Sequence, residues 1–377
     1  MAERVLIVLG GAMGYGGTEA FLMNYYRHLN RDKIQFDFVY QGEKAGVYDK
    51  EITAMGGRIF HVPYKNVHPV GYTRALTKLL HQGVYKVVHA QMDAMNVWPL
   101  LIAKCANIPV RISHSHNTEV QSDNRIKKVW NTLAKKMISI VATELWACGD
   151  AAAQWLYGKR LCASGKTVVI KNAIDAKKFQ YDAEKREKIR SRYGITDAFV
   201  VGHVGRIEPQ KNHDFLIDVF AAFHKVYQNS RLLLVGDGSL RKAMEEKVCC
   251  LGLTEQVVFA GNQKNPSDFY NAMDLFLFPS LWEGLSITFL EAQVNGLFCV
   301  CSDTVSSEGY ISDVSCVSLS ETVELWVETL LAHVNGKRSD CRSKLRERGY
   351  DIETEAVNLQ QRYLQLIGLR LNEKKRI

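Results

Sequence analysis

Leu275-Phe276-Leu277-Phe278-Pro279-Ser280-Leu281-Trp282-Glu283-Gly284-Leu285-Ser286-Ile287-Thr288-Phe289-Leu290-Glu291 reads as an apolar strand, a proline-serine turn and a helix. Such a strand-to-helix turn forms the crevice in which open parallel sheets bind ligands. The stretch sets two carboxylates eight residues apart, Glu283 beside a glycine in the turn and Glu291 inside the helix. Backbone N–H groups at a helix start cradle phosphate oxygens, and the helix dipole favours negative charge there. Carboxylates on either side can accept hydrogen bonds from sugar hydroxyls. The geometry suits a ligand with a hydroxylated ring at each end and phosphates between, which is the shape of a nucleotide-sugar. Eight residues is also just over two helical turns, so a solvated acidic pair on a surface helix is the plain alternative.

Working outward, the same alternation recurs. Arg4 to Leu9 is a short continuous apolar strand that ends in Gly10-Gly11-Ala12-Met13-Gly14-Tyr15-Gly16-Gly17, followed by a helix from about Thr18 to Leu29. Phe36–Tyr40, Arg58–Val62, Lys86–His89 and Val110–His114 read as further strands with helices between them. A basic helical stretch from Arg125 to Val141 precedes a small strand near Leu145–Cys148. This βαβα order implies a parallel sheet covered on both faces. The pattern restarts after Thr167–Ile170, with strands at Phe199–Val204, Arg231–Val235, Val257–Ala260 and Leu275–Phe278. At 377 residues, two domains are the natural expectation. They are taken as 1–168, binding the acceptor, and 169–354, binding the nucleotide-sugar, with a helix at about 355–377 packing back on the first.

The composition, 47% hydrophobic and 23% charged, is that of a globular protein. No run approaches the ~18 apolar residues of a membrane span. The N-terminus reads as a first strand and not as a signal peptide. Nine cysteines without CxxC spacing or a paired framework fit a reducing cytoplasm. The net charge of +8 is uneven: residues 1–170 hold 21 Lys+Arg against 12 Asp+Glu, the remaining 207 hold 27 against 28. The first half is therefore expected to meet something anionic.

Several loops carry candidate chemistry. Gly16-Gly17-Thr18-Glu19 lacks Gly-x-Gly-x-x-Gly spacing, and Asp37 lies inside the second strand and not at its end, which weighs against dinucleotide binding. A glycine loop at the mouth of a cleft explains it better, with a plain tight turn as the alternative. Gly205-Arg206-Ile207-Glu208-Pro209-Gln210-Lys211 puts a guanidinium and an ammonium five residues apart directly after a strand. Together they can neutralise a leaving diphosphate. Arg111-Ile112-Ser113-His114-Ser115-His116-Asn117 sets His114 and His116 on one strand face. His116, the more distal, is the candidate for contacting sugar. There is no Asp-x-Asp, no zinc spacing and no Gly-x-Ser-x-Gly elbow, so neither a metal nor another cofactor is expected.

Taken together these motifs resemble a retaining glycosyltransferase of family 4, of two-domain GT-B architecture: two Rossmann-like α/β domains facing each other across a cleft. The matching residues are Gly16-Gly17-Thr18-Glu19, His116, Asn172-Ala173-Ile174-Asp175, Gly205-Arg206 with Lys211, Gly236-Asp237-Gly238 and Glu283-x7-Glu291, which span residues 14–296 in family order. Gly-Gly-Thr-Glu, His114-Ser115-His116-Asn117 and Glu208-Pro209-Gln210-Lys211-Asn212-His213 look like those of bacterial capsular and exopolysaccharide transferases. The resemblance implies that Arg206 and Lys211, after Gly205, hold the donor diphosphate, Glu291 the ribose and Glu283 the transferred sugar. Backbone N–H groups of Gly284, Leu285 and Ser286 would contact phosphate or sugar, with Gly16 and Gly17 approaching from the first domain. His116 would sit by the reacting centre, and the base between the Gly236 loop and Gly261-Asn262. Three departures concern loop geometry: Ala173 where the family has glycine, Ser286 where proline is common, and Gly296-Leu297-Phe298-Cys299 in place of Gly-x-Pro.

The expectation is thus transfer of a hexose, from a UDP-sugar by family frequency, to a saccharide or polyprenyl-diphosphate-linked acceptor. A nucleotide-sugar 2-epimerase on the same fold and a non-catalytic binding protein are the rivals. Nucleic acid has only the charge in its favour. The helix 125–141 mixes basic residues with Trp, Leu and Ile, as an interfacial helix on an anionic membrane does, or as an ordinary amphipathic helix packed on the core. A cytoplasmic protein, peripheral on the inner face of the membrane, would follow from the first.

Overall fold

A computed structural model describes residues 2–117 and 125–374, without the side chains of 125–131 and 370–374. The chain divides into a first unit, Met1–Ala173 with Ile352–Ile377, and a second unit, Ile174–Asp351. In the first unit the strands are β1 (Glu3–Val8), β2 (Ile34–Gln41), β3 (Ile59–Val62), β4 (Tyr85–Ala90), β5 (Val110–Ser115), β6 (Glu144–Ala147) and β7 (Thr167–Val169). They form one parallel sheet in the order β3-β2-β1-β4-β5-β6-β7. The second unit contributes β8 (Phe199–Val204), β9 (Ser230–Val235), β10 (Val257–Gly261), β11 (Leu275–Phe278), β12 (Phe298–Ser302) and β13 (Val314–Val317). These too are all parallel, in the order β10-β9-β8-β11-β12-β13.

Both sheets are doubly wound, and in both the strand order reverses beside the first strand: between β1 and β4, and between β8 and β11. Ligands of such sheets bind at that switch point, beyond the carboxyl ends of the strands. Strands covered on both faces need continuous apolar runs. Leu275 to Phe278 are accordingly all buried, and β2 is buried along its whole length. Asp37, inside β2, is consumed by structure. Its carboxylate accepts hydrogen bonds from the Arg4 guanidinium (2.5 Å), the Arg58 N–H (2.8 Å) and the Tyr85 hydroxyl (2.8 Å).

Asp175 caps the short helix Ala176–Phe179 with its side chain. Ala173, expected to hold a left-handed backbone less easily than glycine, is not among the residues with positive φ. Its carbonyl oxygen accepts a hydrogen bond from Asn24 Nδ2 (3.1 Å). The glycine-to-alanine departure therefore carries no backbone strain.

The helix Ile352–Lys374 belongs to the first unit and buries Ile352, Ala356, Leu359, Tyr363 and Ile367, one stripe at helical spacing. Tyr363 is fully buried, with its ring 5.8 Å from Phe36 and 5.5 Å from Trp146, and its hydroxyl 2.7 Å from His89 Nδ1. Truncating a buried aromatic ring leaves a cavity that its neighbours only partly fill. Tyr363→Ala is expected to cost about 3–5 kcal/mol in a denaturant melt of the first unit; an unchanged midpoint would show that this helix is not part of its core.

Candidate active site

At the switch point of the second unit, β8 delivers Gly205-Arg206 and β11 delivers the Pro279–Ser286 turn. The two loops are tied together: Leu281 N–H donates to Gln210 O (2.8 Å), and Gln210 Nε2 to Trp282 O (3.0 Å). Between them Lys211 Nζ meets Glu283 Oε1 at 2.7 Å, the side chains 12% and 6% exposed. The ammonium also lies 4.7 Å from the centroid of the Phe278 ring. The structure thus joins two residues that the sequence assigned to separate parts of a ligand. Arg206 is exposed. Glu208, two residues on, accepts from the Ser239 N–H (2.9 Å) and hydroxyl (2.7 Å); these bonds, aided by Arg206, hold its carboxyl below the usual range.

Gly236 and Gly238 act through close packing. A Cβ on Gly236, whose φ is +140°, would overlap the Gly205 carbonyl, and one on Gly238 would overlap the Ile207 carbonyl. Gly205 N–H donates to Val235 O (2.9 Å) and Ile207 N–H to Asp237 O (3.0 Å), so this glycine turn shapes the backbone that presents Arg206. Gly236 N–H donates to Gly261 O (2.9 Å), which sets Asn262, exposed just beyond β10, next to the same turn.

Gly284 and Leu285 lead into the helix Ile287–Val294, where Ser286 is the N-cap residue but makes no capping bond with its side chain. Its hydroxyl shares a hydrogen bond with the Thr288 hydroxyl instead (3.1 Å), so the side chain leaves the first N–H groups of the helix unclaimed. Glu291 points inward from this helix and is buried; its Oε2 accepts a hydrogen bond from the Tyr270 hydroxyl (2.8 Å). Burial pushes the Glu291 carboxyl up to about 7, against the pull of Tyr270 and Lys178. Near the Lys211 loop lie two histidines, His213, which ends the Glu208–His213 motif, and His203, which carries no motif signal. His203 Nδ1–H donates to Leu277 O (2.9 Å), and its ring centroid is 4.8 Å from that of His213. Burial keeps both neutral, with His213 pushed down to about 4.

In the first unit, Gly16 is the N-cap residue of the helix Gly17–His28, and Gly17 opens it with free space where a Cβ would stand. Phe21 of that helix packs edge-on against His114 and His116, with centroids 5.1 and 5.4 Å apart. His114 stacks on His116 (4.3 Å) and on His89 (5.2 Å), and His89 Nε2 lies 3.0 Å from His114 Nδ1. His114 is fully buried, whereas His116 reaches the strand mouth. Its Nε2 lies 2.5 Å from Gln91 Oε1, and its backbone N–H donates to Asp93 Oδ1 (2.7 Å). Burial pushes the His116 imidazole down to about 4 despite Asp93, so it acts as a neutral hydrogen-bonding group near neutral pH. Asp93 adopts a left-handed backbone (φ 51°), a strained state for a residue other than glycine. Its carboxylate also accepts from Asn117 Nδ2 (2.5 Å), which fixes the corner after β5. Gln91, Asp93 and Tyr270 carry no motif signal; the first two become site residues because β4 lies beside β5, and Tyr270 because its helix, Ser267–Ala272, brings its hydroxyl to Glu291.

The family profile "Glycosyltransferase Family 4" matches residues 15–178, and "Glycosyl transferases group 1" matches residues 185–349. A Bacillus subtilis (strain 168) protein, named as glycosyltransferase EpsF, is 33% identical over 360 residues, covering 93% of this chain and 94% of its own length. The capsular polysaccharide biosynthesis glycosyltransferase CapH of Staphylococcus aureus is 25% identical over 335 residues, covering 86% and 89%. Among solved structures, Anabaena HepE in complex with UDP and glucose superposes with a TM-score of 0.73 at 16% identity, over the full length of both chains. This last likeness is one of fold.

Glu291 gives the second unit a pH-dependent term of defined sign. Its pKa is raised from 4.5 to about 7 in the folded state, so its contribution to stability is greatest below pH 4.5 and is lost as pH rises to 7. Glu291→Gln cannot ionise. Thermal melts of the ligand-free protein should therefore show the variant gaining on the wild type between pH 5 and pH 8; a difference independent of pH would contradict the raised pKa.

Proposed function

The chain belongs to glycosyltransferase family 4, and on that premise we propose that it moves a hexose, with retention, from a UDP-sugar to a lipid-linked or saccharide acceptor in capsular or exopolysaccharide assembly. The observation that carries the reading is the Lys211–Glu283 pair, 2.7 Å apart at the switch point of the second unit, with Lys211 in the loop that follows Arg206. Donor binding would re-partner both groups: the diphosphate takes the Lys211 ammonium, and hydroxyls of the transferred sugar take the Glu283 carboxylate. Glu291, inside the adjoining helix, would receive the ribose. The capsular relative supports the polysaccharide context, and the solved neighbour that holds UDP and glucose supports the donor class.

In the step itself the bond from the anomeric carbon to the diphosphate oxygen breaks, and negative charge grows on the leaving group. Arg206, Lys211 and the helix-start N–H groups that Ser286 leaves uncapped stabilise that charge where it develops. The acceptor hydroxyl attacks from the leaving-group face, forms the new C–O bond and passes its proton to the departing phosphate oxygen. No protein nucleophile and no metal enters this sequence, because the chain's own cations do the charge handling. Arg206→Ala and Lys211→Ala should each lower turnover by roughly 100-fold or more, by the measure of lost transition-state donors. The assay uses labelled UDP-sugars with and without acceptor, and the product's anomeric configuration is read by NMR. Near-normal activity of both variants sinks the assignment, and donor isomerisation without acceptor favours the epimerase.

The first unit offers a surface suited to a membrane-borne acceptor. On the helix Arg125–Val141, Ala134, Ile138 and Val141 are buried, while Leu133, Met137 and Ile140 stand exposed one step round the helix. Lys135 turns inward, its Nζ 3.7 Å from the centroid of the Trp155 ring and donating to Trp155 O (2.8 Å). The basic cluster Arg125–Trp130 lies outside the described side chains. Leu101, Lys104 and Lys136 extend the exposed apolar and basic mixture. Among the described residues no helix is long and apolar enough to cross a membrane. This face is proposed to rest on the anionic inner surface of the cell membrane. The wild type should float with anionic liposomes at low salt and be released at high salt, whereas Leu133→Ser/Met137→Ser/Ile140→Ser should stay behind; no flotation at low salt removes the idea.

A further inference from the structure

The second unit carries a cavity of about 360 Å³ lined by three arginines and two carboxylates. It lies at the amino ends of β8 and β11, where Phe199 opens one strand and Asp274 precedes the other. The Lys211–Glu283 pair follows the carboxyl ends of the same strands, so the two places are distinct. Arg186 and Arg190 stand one turn apart on the helix Ala183–Tyr193, which puts two like charges on one face. Both reach Asp274: Arg186 Nη2 donates to Oδ1 (2.6 Å) and Arg190 Nη2 to Oδ2 (2.5 Å). Arg338 brings a third guanidinium. It donates to the carbonyl oxygens of Asn271 (3.1 Å) and Met273 (2.6 Å) and to Asn295, and among the described residues it forms no ion pair.

Asp274 is thus the one carboxylate held among three guanidiniums, for Asp197 is exposed and screened by solvent. Burial, and then the nearness of Arg186, pushes the Arg338 guanidinium down to about 10. Three positive charges against one leave two, which is close to the charge of a phosphomonoester near neutral pH. Capping the carbonyls of residues 271–273 explains the inward N–H groups, but not an open cavity with surplus charge. Donors remain to serve a ligand. Of the five N–H groups of Arg186, the two on Nη1 go to Asn271 O and Met273 O (3.0 Å each) and one on Nη2 goes to Asp274. The Nε–H and the second Nη2–H have no partner among the described residues. Aromatic rings complete the lining: Arg338 lies 4.4 Å from the centroid of Tyr181, and Phe199 and Tyr227 sit 5.7 Å apart. The volume is at the lower end for small-molecule sites.

We propose that this cavity binds a small phosphomonoester, its phosphate held by Arg186 in the field of Arg190 and Arg338, and its organic part laid against Tyr181, Phe199 and Tyr227. The claim does not rest on the transferase reading. Free phosphate offers the same anion without the organic part, and the probes separate the two.

The test is calorimetric titration of glucose 6-phosphate, inorganic phosphate and glucose, at fixed ionic strength, into full-length protein carrying Arg206→Ala/Lys211→Ala. That background removes the two cations proposed for the donor diphosphate. Glucose 6-phosphate should bind and glucose should not. Adding Arg186→Gln should weaken binding roughly tenfold or more, as loss of a charge-assisted hydrogen bond does. Because Arg186 also pairs with Asp274, a circular dichroism melt checks that this variant is folded. Asp197→Asn, at an exposed side chain, should instead tighten binding roughly twofold or more, since a negative charge leaves the lining. Tighter binding of glucose 6-phosphate than of inorganic phosphate supports the phosphomonoester, and equal binding of the two removes the aromatic part of the claim. No binding of glucose 6-phosphate, unaltered affinity in folded Arg186→Gln, or weaker binding in Asp197→Asn overturns the site. Should Arg186→Gln not fold, the direction of the Asp197→Asn effect decides. Because the readout is binding, failure of sugar transfer with every labelled donor would sink the transferase reading and leave this result standing.

Discussion

The ion pair between Lys211 and Glu283 is the constraint on which the second unit's site depends. It spans two loops that leave adjacent strands, and both side chains are nearly out of solvent. Two charges withdrawn from water in this way gain little net stability, but removing either partner strands the other. The pair is therefore better understood as a poised arrangement than as glue. A ligand that brings a diphosphate for the ammonium and hydroxyls for the carboxylate can replace both halves of the contact without leaving a buried charge bare.

That poise is made possible by backbone geometry. Gly236 and Gly238 bring one turn into direct contact with the carbonyls of Gly205 and Ile207, and a side chain at either position would push the Arg206 loop off its course. The Leu281 and Gln210 hydrogen bonds then hold the Glu283 turn against the same loop. The neutral His203 and His213 below Lys211 add polar volume without competing charge. The first unit uses the same economy. His89, His114 and His116 are stacked and kept neutral by burial, so the imidazole at the strand mouth offers hydrogen bonding and shape but no fixed cation.

Much of this was legible in the chain because doubly wound sheets write themselves as apolar runs ended by glycines. Phe199–Val204 and Leu275–Phe278 occupy the expected residues, and Gly205, Arg206, Lys211 and Glu283 follow at the strand ends where ligands of such sheets bind. The strands Phe298–Ser302 and Val314–Val317 are not legible, for they are short and their apolar runs are interrupted by Cys and Ser. Gln91 and Asp93 were invisible for another reason: they matter only because β4 lies beside β5, and adjacency across a sheet leaves no local trace. That Lys135 turns inward onto the Trp155 ring could not be seen from helical spacing. The concern over Ala173 assumed a turn conformation that the chain does not use.

Lys65 and Lys211 make the same point from opposite sides. Each follows a strand, but only Lys211 comes with a motif, five residues after Arg206. The fold supplies Lys211 with a carboxylate and an aromatic face, and supplies Lys65 with a methionine sulfur. Because a buried ammonium must find a counter-charge, lose its proton or be relieved by a ligand, the two lysines have different tasks. The paired one must exchange partners when its ligand arrives. A lysine's place in the sequence does not say which partner the fold will give it, and that partner decides what a ligand must displace.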